Sequence, residues 1–134
     1  MAGAQVYTFD YWQLSSALSP RTISRALPSG VLRRIFLRHW SMYATGSGSI
    51  LPSNITADVR LTTDAAGNDL IFRPWLKAQG DNALQNVPDV YVPREGLLWQ
   101  GRLFLPPGVW GWVRWTNFDL GASHSVHAEL EVET

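Results

Sequence analysis

The chain has 134 residues, the size of one domain, and at that length it can bury about two-thirds of its unfolded surface without covalent staples. It has no cysteine, which excludes disulfides, thiolate metal sites and cysteine nucleophiles together. Charged residues make up 16% of it against roughly 25% in an ordinary soluble domain, and the formal net charge is zero, so self-repulsion does little to keep copies apart.

Residues 1–30 lack a sustained period of either kind. Tyr7, Phe9, Tyr11 and Trp12 stand among Ser, Pro and Arg, and such a segment cannot bury its aromatics by itself. Val6–Trp12 reads as a further strand or an extended arm. Ser19-Pro20 offers a cap and a first-turn proline for a short helix ending before Pro28. The segment is therefore expected to form an N-terminal arm that lies across a neighbouring subunit.

Val31–Thr45 is rich in β-branched and aromatic residues and is bounded by Pro28-Ser29-Gly30 and Gly46-Ser47-Gly48. This favours a long strand, with a helix as the alternative. Ile55–Thr63 alternates: Ile55, Ala57, Val59 and Leu61 share one face, and Thr56, Asp58, Arg60 and Thr62 the other. Ala65-Ala66-Gly67-Asn68 turns the chain into Leu70-Ile71-Phe72-Arg73, a predicted hairpin. Pro74 then places this second strand at an edge.

Gly80–Pro93 is polar, with two prolines and no helical period, and reads as a long loop. Gly96–Leu105 and Val109–Trp115 are strands separated by Pro106-Pro107-Gly108. Asn117–Ser123 reads as a turn. In the last strand Val126, Ala128, Leu130 and Val132 point inward, and His127, Glu129, Glu131 and Glu133 outward. The sum is an all-β antiparallel sandwich over 31–134, jelly-roll-like, with six or seven strands and the N-terminal arm; an immunoglobulin-like sandwich is the alternative. Strand order is not legible.

Charge is uneven. Arg21, Arg25, Arg33, Arg34 and Arg38 fall in residues 11–57 without an acid, and Asp119, Glu129, Glu131 and Glu133 fall in 117–134 without a Lys or Arg. Arg-biased composition explains the first as well as function does. The functional reading pairs Arg21 and Arg25 with the Glu129, Glu131 and Glu133 stripe of a neighbouring subunit. Five arginines without a recognised motif do not make a nucleic-acid signal.

Site chemistry is sparse. His124 and His127, three apart on a strand, face opposite sides and share no metal; His39 has no carboxylate cluster at ligand spacing. The aspartates are scattered through turns and polar faces. No nucleophile elbow, phosphate loop or dinucleotide fingerprint occurs. No enzyme, metal or cofactor is expected. Asn54-Ile55-Thr56 fits a glycosylation acceptor, but Met1–Asp10 lacks the features of a secretory signal, so the match is read as chance. No apolar run of about twenty residues marks a membrane helix.

Trp110 and Trp112 share one strand face across Gly111, the pattern by which carbohydrate-binding modules stack sugar rings. The competing reading puts these rings in the core or at a subunit contact. The chain resembles the small all-β structural proteins of viruses and tailed phages. The resemblance rests on Pro106-Pro107-Gly108-Val109 before Trp112-Val113-Arg114-Trp115, on the alternating last strand and on the lack of a catalytic motif. It implies a virion component (capsid, decoration, collar or tail) that contacts copies of itself and other structural proteins, and it transfers no site residue. A carbohydrate-binding module for host attachment is the alternative.

Overall fold

A computed structural model of the chain describes residues 3–15, 20–43, 55–73, 90–92, 95–117 and 122–134. These form ten strands: β1 (Ala4–Thr8), β2 (Tyr11–Ser15), β3 (Arg21–Ala26), β4 (Gly30–Tyr43), β5 (Ile55–Thr62), β6 (Leu70–Phe72), β7 (Val90–Tyr91), β8 (Glu95–Leu105), β9 (Trp110–Asn117) and β10 (Ala122–Glu133). There is no helix among the described residues. The strands make two antiparallel five-stranded sheets. In the first, β1 and β2 both pair with β10, followed by β4 and then β8; in the second the order is β3, β9, β5, with β6 and β7 both on β5.

Alternation explains which residues lie between the sheets. Val126, Ala128, Leu130 and Val132 of β10 and Leu32, Ile35 and Leu37 of β4 are buried against Ile55, Ala57, Val59 and Leu61 of β5 and Val113 and Trp115 of β9. Gly111 shows how closely the layers approach. A Cβ there would come within 2.6 Å of Phe9 Cζ and 3.3 Å of Leu130 Cδ2, so only a residue without a side chain leaves room for the Phe9 ring.

The N-terminal segment departs from expectation. It is no detached arm: β1 and β2 are successive pieces of one edge, running antiparallel along β10 from Ala4 opposite Glu133 to Ser15 opposite Ser123. The Phe9 amide, between them, donates to the Ala128 carbonyl at 2.9 Å. Residues 21–26, expected to be helical, pair as a strand with β9; Ser19 lies outside the described residues. Tyr7, Phe9 and Tyr11 face the core, a period of two that the breaks at Phe9-Asp10 and after Trp12 confine to a short stretch. These strands and β7 raise the count above the six or seven expected.

The 55–73 hairpin forms as expected, with Leu61 opposite Phe72. Asp64 organises its turn: the carboxylate accepts from the amides of Asn68 and Asp69 at 3.0 and 2.9 Å, a local side-chain-to-backbone closure typical of aspartate. Val31–Thr45 is a strand through Tyr43. Its last two residues, the Gly80–Asp89 part of the long loop, Pro74, and the middle of the Asn117–Ser123 turn lie outside the described residues.

Candidate functional site

The outer faces of the two sheets differ in chemistry. On the second sheet the polar face of β5 is closed over. Asp58 is buried and accepts from Arg60 (Nη2, 2.8 Å), Arg73 (Nη2, 2.6 Å) and Arg114 (Nη2, 3.4 Å). Arg73 is itself buried. Arg60 also donates to the Gly67 carbonyl at 2.8 Å and lies 4.5 Å over the Trp112 ring, with Arg114 at 5.6 Å from the same ring. Trp112 is thus only 7% exposed and Trp110 is half-buried. Alternation puts both on the outer face, where the 63–69 turn and two guanidinium groups cover the Trp112 ring, so Trp112 presents no open face for a sugar to stack on.

On the first sheet the outer face is open. Register sets Glu131 opposite Arg34, and Arg34 reaches Glu129 at 3.4 Å and Glu131 at 3.5 Å, while Arg33 reaches Glu133 at 3.3 Å. The acidic stripe therefore meets arginines of its own chain. Arg21 and Arg25, expected at the stripe of a neighbouring subunit, lie within their own chain at the edge between the sheets. Arg21 lies over the Tyr11 ring, and Arg25 lies over Tyr7 and donates to the Thr8 carbonyl at 3.1 Å. Of the proposed interface aromatics, Phe9 is fully buried, Tyr7 and Tyr11 are half-buried against the core, and Trp12 alone is exposed.

The large exposed hydrophobics of the described residues are Val6, Trp12, Trp40, Leu97 and Phe104. All five lie on this one outer face, at alternate positions to the core-facing residues of β1, β2, β4 and β8. At one end of the face Trp12 and Trp40 border a cleft of about 460 Å³ with Asp10, Arg38, Ser125 and His127 in its lining. His127 Nδ1 sits 2.5 Å from Asp10 and Nε2 3.3 Å from Glu129. A bulge builds one wall. From Val126 to His124 the partner strand advances from Tyr11 to Leu14, one residue too many, and Gln13 takes up the excess at φ 56°. Bulges of this kind re-aim side chains.

Sequence reasoning placed His127 outward but missed Trp40, Arg38 and Asp10 as its neighbours. The signal was present: Ile35, Leu37 and His39 read inward, so Phe36, Arg38 and Trp40 read outward. The chain matches no protein-family model, no curated protein and no solved structure.

Proposed function

We propose that the chain is a non-enzymatic structural subunit of a larger assembly, a virion component, that works through contacts with copies of itself and other structural proteins. The observation that carries this reading is the collection of exposed apolar side chains on one sheet face. Leu97 stands opposite Phe36 and Phe104 opposite Val31, so the apolar surface runs from β8 onto β4, and surface of this kind marks association sites. Leu97, 52% exposed, and Phe104, 72% exposed, both belong to β8. Among the described residues that strand ends its sheet with β4 as its neighbour, so there it offers an edge as well as apolar side chains to a second copy.

Strand order supports the finer reading of the fold. Taking β1 with β2, and β6 with β7, as interrupted strands gives eight positions in chain order. The first sheet then runs first, eighth, third, sixth, and the second runs second, seventh, fourth, fifth. On that merging the order supports a jelly roll, an architecture of viral capsid domains and of lectins. The virion assignment rests on this analogy of fold together with the apolar face. Four carboxylates of the described residues, Asp58, Glu129, Glu131 and Glu133, are held in ion pairs with arginines, which supports the non-enzymatic part.

Light scattering at micromolar concentration tests the reading. The expected result is a mass several times that of the chain, reduced to the monomer by Leu97→Asp with Phe104→Asp. A wild-type protein that stays monomeric overturns it.

A further inference from the structure

We propose that the cleft between Trp12 and Trp40 is a binding site for a neutral saccharide. This goes beyond the structural role and does not depend on it. The cleft lies at the opposite end of the face from Phe104, beyond the last paired residue of β8, Glu95 opposite Arg38.

Three features of the cleft point to this ligand. The first is its pair of aromatic walls. Trp40 is in register with Ser125 of β10, and Trp12 stands on the strand along the other side of β10. The two indoles therefore rise from strands two spacings apart, roughly 10 Å. A saturated ring touching an aromatic face on each side needs roughly 7–8 Å, twice a carbon–carbon contact of ~3.5–4.0 Å, a span within that strand separation. At 69% and 70% exposure both indoles are open to it. The volume of about 460 Å³ falls within the size range of small-molecule clefts.

The second feature is the floor. Arg38 donates, Asp10 accepts, and the Ser125 hydroxyl does both. Asp10 and Arg38 carry opposite charges, and Glu129 stands on the far nitrogen of His127. Asp10 repels a polyanion such as a nucleic-acid backbone, and Arg38 repels a cation. A polyol, with many donors and acceptors and no charge, meets neither penalty.

The third feature is strain. Gln13 is the only non-glycine residue with positive φ among the described residues. A residue in that region is strained and persists only where the surrounding structure holds it. Here the strained residue closes the bulge beside Trp12, so the fold holds an unfavourable backbone where it presents an indole to solvent.

The experiment is titration of the wild-type protein with the methyl glycosides of glucose, galactose, mannose and N-acetylglucosamine, read by tryptophan fluorescence and calorimetry, with adenosine monophosphate and choline as contrasting probes. At least one glycoside is expected to bind saturably. Trp12→Ala and Trp40→Ala should each weaken it about tenfold or more, a free-energy difference of ~1.4 kcal/mol, with Trp110→Ala unchanged. Far-UV circular dichroism verifies that the variants fold, and Asp10→Asn, which keeps both walls, should also weaken binding. No binding of any glycoside, binding only of adenosine monophosphate or choline, or glycoside binding that survives both tryptophan substitutions overturns the proposal. None of these outcomes alters the mass measured by light scattering, so the two readings fail separately.

Discussion

Gly67 packs onto the face of the Trp112 indole: a Cβ at Gly67 would lie 2.6 Å from both Nε1 and Cε2 of that ring. The turn that follows β5 folds back over β9 through this contact, and the Gly67 carbonyl takes a hydrogen bond from Arg60. Gly67 also has φ 79°, a conformation that glycine adopts without steric cost. Gly67→Ala meets both objections, backbone strain and overpacking, and is expected to cost about 2–4 kcal/mol in urea unfolding. A neutral substitution would mean that the turn does not cover Trp112 in solution.

The buried N-terminal strand makes a second test. Phe9 is fully buried in the space that Gly111 leaves, so Phe9→Ala should cost about 3–5 kcal/mol. Deleting residues 2–28 removes β1, β2 and β3, exposing an edge of β10 and of β9. The truncated protein is expected to lose cooperative unfolding altogether. If it melts as the full chain does, the segment is dispensable and the strand pairing described here is wrong.

Asp58 and Glu133 both pair with arginine, in opposite surroundings. Asp58→Ala takes the carboxylate from the buried guanidinium of Arg73 and from Arg60 and Arg114. Breaking a buried pair from one side costs about 3–5 kcal/mol. Glu133→Ala removes a solvent-exposed partner of Arg33, and such pairs contribute about 0–1 kcal/mol. Denaturant titration of the two variants should separate them clearly. Equal losses would show that the Asp58 cluster is hydrated rather than closed.

Much of the layering was legible because strands have a period of two. Ile55, Val59 and Leu61, and Val126, Leu130 and Val132, were assigned inward from alternation, and all six are buried. Tyr7, Phe9 and Tyr11 follow the same rule, yet isolated aromatics among polar residues looked like an arm. The run is short because an edge strand with a break at Phe9-Asp10 and a bulge at Gln13 loses register with its own pattern. Arg21–Ala26 misled for a different reason. Ser-Pro is as good an entry to a helix as to a strand, and β3 is held by ladder hydrogen bonds to β9, which lies far along the chain.

The candidate cleft was less legible than the core. Alternation gives the side of the sheet on which a residue stands, and by that rule Trp12, Trp40 and Trp112 are equivalent outward tryptophans. The sequence by itself therefore determined the all-β class, the hairpin at 55–73 and the inward faces of β5 and β10, all of which are local properties of spacing and turn residues. Only the tertiary structure decided that Trp112 lies covered while Trp12 and Trp40 stand open, and that Glu129, Glu131 and Glu133 meet Arg33 and Arg34. Those outcomes depend on what crosses over each face and which strands become neighbours, and such long-range pairings leave no period in the sequence.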